Sequence, residues 1–228
     1  MRRLALFDID CTLLDAHGAG GRAIRHALTE TYGRWQQSDG YTYHGRTDPQ
    51  IVRDLAAAGG VPPAEIEAGM EACFDTYVRC LRAEVAAGAV EVLPGVRELV
   101  TTLADDDRVV LGLLTGNVIG GAEVKLAPTG FGDRFVVAAY GSDSAHRPDL
   151  PAIALRRAEE LTGRRFAGKQ IVIVGDSPAD ITCGVHLGVK AIAVATGKHT
   201  RDELAAHAPD HLFDDLSDWR AAIAAVLA

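Results

Sequence analysis

The most regular feature of this sequence is a series of short apolar runs that alternate with segments of helical periodicity. Runs of this length are typical of strands buried on both faces of a parallel sheet. They lie at residues 4–7, 109–114, 135–138, 171–174, 191–195 and 211–213. Helical patterns fall between them, at residues 96–103, from 117 to 125, 149–161 and 216–227. The alternation predicts an α/β fold with a Rossmann-like parallel sheet flanked by helices.

One long segment breaks the alternation. From Arg22 to about Ala87 the apolar residues recur only at helical intervals, and Pro62-Pro63 marks the start of one helix. The glycine-rich run that precedes this segment, residues 15–21, is a plausible hinge. We therefore predict an α/β core formed by residues 1–15 and 92–228, interrupted by an all-helical insert at residues 16–91.

Three of the apolar runs end on polar side chains. The residues concerned are Asp8 and Asp10 after the first run, Thr115 and Asn117 after the second, and Asp176 and Asp180 after a later one. The carboxyl ends of parallel strands meet at the edge of the sheet where such folds bind ligands. Neighbouring carboxylates repel one another unless a cation or a shared proton relieves them. The pattern therefore predicts a metal site.

The chemistry of these residues suggests which ligands they bind. Carboxylates such as Asp8 and Asp176 are oxygen ligands suited to Mg²⁺. Thr115, beside the free backbone N–H groups of a helix start, suits an anion such as phosphate. A basic group is still needed near the anion. Arg147, just before the Pro148 helix entry, is the candidate in the loop that leads to Asp149 and the next helix.

Composition narrows the class of protein. The chain has 228 residues and a formal net charge of -8, which argues against a nucleic-acid-binding surface. The apolar run after Arg2 and Arg3 is too short for a signal peptide or a membrane span. The four cysteines show no C-x-x-C spacing, so we expect reduced thiols and a cytoplasmic location rather than disulfides or a zinc site.

Taken together, four motifs resemble those of the haloacid dehalogenase (HAD-like) superfamily. They are D-I-D-C-T at residues 8–12, L-L-T-G-N at 113–117, R-P at 147–148 and G-D-S-P-A-D at 175–180. The likeness is greatest to the phosphoglycolate phosphatase-like branch, which carries a helical cap in the position of the predicted insert. G-R-T-D-P at residues 45–49 also resembles a cap sequence of such phosphatases.

The resemblance implies a role for each motif residue. Asp8 is implied to be the nucleophile and Asp10 the general acid and base. Mg²⁺ would be held by the Asp8 carboxylate, the Asp10 backbone carbonyl and Asp176, with Asp180 acting directly or through water. The implied phosphate-binding group comprises Thr115, Gly116, Asn117 and Arg147, with Arg46 as a cap residue that could touch the substrate. The second acid, Asp10, is present in phosphatases and sugar-phosphate mutases of the family and absent from its dehalogenases.

Two positions depart from the family pattern. Cys11 follows Asp10 where glycine is usual, and Arg147 stands where lysine is usual. Arginine keeps the positive charge but not the compact geometry of lysine. Lys125 is the alternative source of a lysine, although it lies on a helix well past Thr115. Asp180 also has an alternative role, as the acid of a helix capping box that begins with Ser177.

These observations favour a Mg²⁺-dependent phosphatase that acts on a small phosphorylated metabolite, phosphoglycolate or a sugar phosphate, through an aspartyl-phosphate. A phosphosugar mutase of the same fold and a non-catalytic binding protein remain as alternatives. A signalling receiver domain also uses an aspartyl-phosphate, but the helical insert and the length of the chain argue against it. The sequence determines neither the substrate nor the oligomeric state, monomer or dimer.

Overall fold

A six-stranded sheet, in which every neighbouring pair of strands is parallel, forms the centre of the molecule. The computed structural model describes residues 2–88 and 90–228. The strands are β1 (Arg3–Phe7), β2 (Leu14–Asp15), β3 (Glu91–Val92), β4 (Val109–Leu114), β5 (Val137–Ala139), β6 (Ile171–Gly175), β7 (Lys190–Val194) and β8 (His211–Phe213). Their order in the large sheet is β5-β4-β1-β6-β7-β8, and β2 pairs with β3 in a separate ladder. The predicted α/β fold is confirmed.

Helices cover both faces of the sheet and fill the segment between β2 and β3. The helices are α1 (Ala19–Tyr32), α2 (Asp48–Ala58), α3 (Pro63–Ala86), α4 (Val96–Ala104), α5 (Ile119–Leu126), α6 (Leu150–Thr162), α7 (Pro178–Thr182), α8 (Arg201–Ala205) and α9 (Trp219–Leu227). We call α1, α2, α3 and the loops between them the helical insert. No helix in the described ranges is long and apolar enough to cross a membrane.

The central strand β1 shows why the short apolar runs become buried strands. All five of its residues are buried. Successive side chains point to opposite faces, so Ala5 and Phe7 belong to one hydrophobic cluster and Leu4 and Leu6 to another. Each fully buried Leu or Phe side chain contributes about 1.5–3 kcal/mol through the hydrophobic effect. The two faces therefore hold β1 firmly in place.

The position of β1 also determines where the polar strand ends meet. It lies between β4 and β6, in parallel register with both. The chain fills one side of β1 with β4 and β5, then crosses to β6 on the other side. Such a reversal of strand order opens a crevice at the carboxyl ends of the strands. The residues that follow β1, β4 and β6 therefore surround one crevice.

The helical insert leaves and re-enters the core through two adjacent strands. Leu14 pairs with Val92 and Asp15 with Glu91 in the antiparallel β2–β3 ladder. Within the insert α1 packs along α3, and α3 also packs against α5 of the core. This last contact is close, because a Cβ atom at Gly121 of α5 would lie 3.0 Å from the ring of Tyr77. The insert thus covers the crevice at the carboxyl ends of the strands.

Three local features do not follow from the sequence patterns. The β2–β3 ladder is not predicted, because strands of two residues carry no periodic signal. Asp149 makes no side-chain capping bond to α6, since its carboxylate is bonded to Ser144 and His146. The last helix begins at Trp219 and not at residue 216, because Asp218 caps it by accepting the N–H of Ala221 at 3.1 Å.

Candidate active site

Three buried carboxylates meet where β1 and β6 end. Asp8 follows β1 directly, and its N–H donates to the carbonyl of Val174 at 3.0 Å. Asp176 follows β6, and Asp180 lies in the first turn of α7. Ligand oxygens of these three acids all lie within 4.8 Å of one another, and all three residues are buried. Like charges this close need a compensating cation or a shared proton.

Arg147 supplies one compensating charge. The residue is buried, and its Nη2 lies 3.2 Å from Asp8 Oδ2 and also contacts Asp180 Oδ1. Burial nevertheless raises the pKa of Asp8 to about 7, with Asp180 and Asp176 adding to the rise and Arg147 opposing it. One arginine therefore leaves the three acids incompletely neutralised.

The donor set fits a hard divalent cation. Burial also raises the pKa of Asp176, and its Oδ2 atom is buried with no hydrogen-bond partner in the described part of the chain. Carboxylate oxygens arranged in this way are ligands that Mg²⁺ prefers. The residues available to hold it are Asp8, Asp176 and Asp180, and the assignment of the Asp10 backbone carbonyl stays a prediction.

Asp180 forms the capping box that the sequence offered as the alternative to metal binding, and it also contacts Arg147. Ser177 donates both its N–H, at 3.0 Å, and its hydroxyl, at 2.6 Å, to Asp180 Oδ2. This is the capping box of α7. The other carboxylate oxygen, Oδ1, accepts from Arg147. The helix cap thus orients Asp180 toward the acid cluster, and its predicted part in metal binding remains a prediction.

A second cation, Lys125, is paired with Asp10. The Lys125 Nζ atom lies 2.8 and 2.7 Å from the two carboxylate oxygens of Asp10 and 2.6 Å from Asn117 Oδ1. Asn117 Nδ2 in turn donates to Asp10 Oδ2 at 2.7 Å and to Thr115 Oγ1 at 2.8 Å. Burial opposes ionisation of Asp10, but Lys125 and Asn117 outweigh it and lower the pKa of Asp10.

The sequence treated Arg147 and Lys125 as alternatives for the family's lysine. The structure brings both into the site, and which of them binds phosphate stays a prediction. Arg147 contacts Asp8 and Asp180, whereas Lys125 contacts Asp10. Lys125 is buried in the last turn of α5. Helical side chains lean toward the N-terminus of their helix. The N-terminus of α5 follows β4, so the lysine leans back toward the strand ends.

Arg46 and Gly116 lie where the insert meets the core. Arg46 is half-buried, donates to Asp54 Oδ2 at 3.1 Å and stacks over the Tyr41 ring at 4.8 Å. Gly116 lies under the insert backbone, where its carbonyl accepts the N–H of Asp48 at 2.7 Å. The phosphate-binding roles of both residues remain predictions.

Gly116 provides a test of this contact. A Cβ atom at Gly116 would lie 2.1 Å from the backbone oxygen of Arg46, which is closer than non-bonded atoms can approach each other. We expect Gly116→Ala to lower the free energy of unfolding by about 1–3 kcal/mol, as overpacking does elsewhere. Urea denaturation measures it. Gly21→Ala is the control, because its Cβ would meet only the flexible end of Arg25 at 3.3 Å. Equal stability of the two variants would show that the insert shifts without cost.

Asp48, a buried acid in the G-R-T-D-P segment to which the sequence pattern gave no role of its own, also joins the insert to the core. Asp48 is buried in the first turn of α2, and its Oδ2 accepts the N–H of Val118 at 2.9 Å. Burial raises the pKa of Asp48 to about 6, although Lys125 and the Val118 N–H oppose the rise. Its sequence context, Thr47-Asp48-Pro49, indicates only a helix start.

The raised pKa of Asp48 predicts a pH-dependent stability difference. The folded chain binds this proton up to about pH 6, whereas the unfolded chain releases it near 3.8. The free energy of unfolding of the parent should therefore fall relative to that of Asp48→Asn as the pH rises from about 3.8 to about 6. The change amounts to up to about 3 kcal/mol. Urea denaturation of both proteins between pH 4 and 7 measures it, and a constant difference would contradict the prediction. Asp107→Asn, at an exposed position, controls for the lost charge.

The candidate catalytic residues line one cavity of about 450 Å³ between the core and the helical insert. Asp8, Asp10, Lys125, Arg147 and Asp176 form its core side. Residues of the insert that line it include His44, Arg46, Asp48 and Tyr77. The cavity is large enough for a small phosphate ester, which would lie between the acids and the insert.

The fold and the acid cluster define an α/β protein with a site at the carboxyl ends of its central strands. A family model described as haloacid dehalogenase-like hydrolase matches residues 5–194. The chain therefore belongs to the haloacid dehalogenase-like hydrolases, which confirms the resemblance that the four motifs indicate.

Individual relatives agree with this assignment. A phosphoglycolate phosphatase from Synechococcus elongatus is 29% identical over 137 residues, so the match spans 60% of that protein's length and 59% of this chain. The structure of a predicted phosphoglycolate phosphatase from Haemophilus somnus has a TM-score of 0.72 at 21% identity, covering 97% of this chain and 98% of the other. CbbY from Rhodobacter sphaeroides, in complex with phosphate, has a TM-score of 0.72 at 22% identity, covering 96% of each chain. At these identities the two structures show that the fold is shared.

Proposed function

We propose that this chain is a Mg²⁺-dependent phosphatase that hydrolyses a small phosphate monoester, such as phosphoglycolate or a sugar phosphate. The observation that carries the proposal is the meeting of Asp8, Asp176 and Asp180 within 4.8 Å, beside Arg147. The likeness to a phosphoglycolate phosphatase adds support for this substrate class.

In the proposed reaction Asp8 is the nucleophile. A carboxylate oxygen of Asp8 forms a bond to phosphorus, and the bond from phosphorus to the ester oxygen breaks. The leaving alkoxide takes a proton from Asp10, which must enter this step in its less populated protonated form, because Lys125 and Asn117 lower its pKa. Mg²⁺ held by Asp8, Asp176 and Asp180 would supply positive charge that stabilises the phosphoryl oxygens and lowers the repulsion between them and Asp8. Arg147, whose Nη2 atom lies 3.2 Å from Asp8 Oδ2, would bind the same oxygens.

Water completes the cycle by attacking the aspartyl-phosphate. Asp10 takes the proton of that water, the acyl–phosphate bond breaks, and inorganic phosphate leaves Asp8 ionised again. Lys125 and Asn117 lower the pKa of Asp10 and so favour the ionised form that this second step needs. The helical insert, as a cap, would exclude other water and select the substrate.

The test is phosphate release from a panel of small esters, including phosphoglycolate and glucose 1-phosphate, with Mg²⁺ or with EDTA. We expect turnover that depends on Mg²⁺ and is selective for one class of ester. Following the same reactions by phosphorus NMR separates hydrolysis from transfer. Transfer to a hydroxyl of the substrate would identify a phosphosugar mutase instead. No reaction with any ester, from folded protein with Mg²⁺, would support a non-catalytic binding role.

A further inference from the structure

A second group of potential metal ligands lies beside the acid cluster, with a different chemistry. The Cys11 thiol, a ring nitrogen of His44 and a carboxylate oxygen of Asp176 lie within 4.8 Å of one another. His44 Nδ1 is 3.8 Å from Asp176 Oδ2. The three residues come from the turn after β1, the loop before α2 and the end of β6. No spacing in the sequence could reveal this group.

The unpartnered oxygen of Asp176, which also faces the acid cluster, is a second observation that favours a ligand here. The residue is 3% exposed, and its Oδ2 atom has no hydrogen-bond partner within the described residues. A buried carboxylate oxygen without a hydrogen-bond donor has lost its hydration, and the His44 ring nitrogen 3.8 Å away compensates that loss only in part. This same oxygen faces His44. Cys11, His44 and Asp176 all line the 450 Å³ cavity, which gives a cation a path to them.

The backbone fixes the position of the Cys11 thiol. Cys11 has a φ of 56°, in the left-handed region that favours glycine. Its N–H donates to the Leu14 carbonyl at 2.7 Å, and its carbonyl accepts from the Thr196 hydroxyl. Hydrogen bonds of both the N–H and the carbonyl of Cys11 therefore hold the turn in place. A glycine at this position would adopt the same backbone conformation without steric cost.

We infer that Cys11, His44 and Asp176 form a binding site for a thiophilic divalent cation, Zn²⁺, that bridges the core and the helical insert. Thiolate, imidazole and carboxylate are the ligands that Zn²⁺ combines, and three protein ligands leave one position open. On binding, the thiol loses its proton to solvent and its sulfur bonds to the metal. Mg²⁺ prefers oxygen ligands only, so this site differs in selectivity from the acid cluster.

The two sites share Asp176, which has a consequence for activity. A Zn²⁺ ion at this position draws Asp176 away from a metal in the acid cluster and ties His44 of the insert to the core. Zn²⁺ is therefore expected to inhibit turnover, and this consequence rests on the proposed phosphatase function. Binding itself does not rest on it, because it is measured without substrate.

The experiment is titration of the intact protein with Co²⁺, followed by displacement with Zn²⁺. Cobalt bound to a thiolate gives a near-ultraviolet charge-transfer band that cobalt bound to carboxylates lacks. We expect this band in the parent and in Cys80→Ser, which removes a half-buried thiol in α3. We expect no band in Cys11→Gly, and Zn²⁺ affinity at least about tenfold weaker in both Cys11→Gly and His44→Gln.

Two results would overturn the inference. Cobalt binding without a thiolate band in the parent would place the metal on the acid cluster alone. Equal Zn²⁺ affinity in the parent, Cys11→Gly and His44→Gln would exclude both side chains as ligands. Circular dichroism of each variant confirms folding, and His44→Gln keeps the test decisive if Cys11→Gly perturbs the turn.

Discussion

Asp8→Asn should reduce turnover of the best phosphate ester at least about 1,000-fold, because the amide cannot act as the nucleophile. Asn has nearly the same shape as Asp, so the strand end and its contacts should be kept. Removing the charge of Asp8 also relieves repulsion among the three acids. The variant should therefore be at least as stable as the parent. Phosphate release measures the first effect and urea denaturation the second.

A labelled ester supplies the direct evidence for the intermediate. Brief mixing of the parent with labelled substrate, followed by acid quenching, should leave label on the protein that hydroxylamine removes, as an acyl-phosphate requires. Asp8→Asn should carry none. Asp107→Asn, an exposed acid in the turn before β4, should behave as the parent does. Labelling of Asp8→Asn at the parental level would assign the nucleophile to another residue.

Lys125→Met should destabilise the protein by about 2–4 kcal/mol, because it leaves Asp10 without its cation in a largely enclosed site. The Lys125 side chain is 4% exposed and that of Asp10 38%, so water reduces the loss below that of a fully buried pair. Turnover should fall about 100-fold, since Asp10 is no longer held in position. Urea denaturation and steady-state kinetics measure the two effects.

Lys169 offers a matched control for this substitution. Its Nζ lies 2.7 Å from Asp210, as close as Lys125 is to Asp10, but its side chain is 58% exposed. Lys169→Met should cost about 1 kcal/mol or less. A double-mutant cycle of Lys125→Met with Asp10→Asn should show a coupling of about 1–3 kcal/mol. Additive effects would mean that Lys125 stabilises the fold without acting on Asp10.

Much of the fold was predictable because its strands are apolar on both faces. The run at Val109–Leu114 has the limits of β4, and His211–Phe213 those of β8. Since β1, β4 and β6 are neighbours, the polar residues after each run had to meet. The same argument predicted that Asp8 and Asp176 would lie close together.

The remaining parts of the site depend on directions that a sequence does not contain. Lys125 lies well along its helix in the sequence, but the lean of helical side chains toward the N-terminus brings its amine back to the strand ends. Asp48 and His44 approach the site from the helical insert, and no local pattern predicts which side of an insert faces the core. Cys11 departs from the glycine that is usual in the family pattern, but its nearness to His44 follows only from the packing of the insert.

The β2–β3 ladder, finally, gives the chain the topology of a hairpin whose loop is itself a folded unit. Asp15 and Glu91 face each other across it, so the insert begins and ends at adjacent points of the core. Paired residues in such a ladder lie about 5 Å apart, the distance that a tight turn also spans. The core therefore requires only that the two ends of the insert lie this close together, whatever structure the insert has between them. The helical insert that covers the cavity can therefore change while the core side of the cavity, with Asp8 and Asp176, stays unchanged.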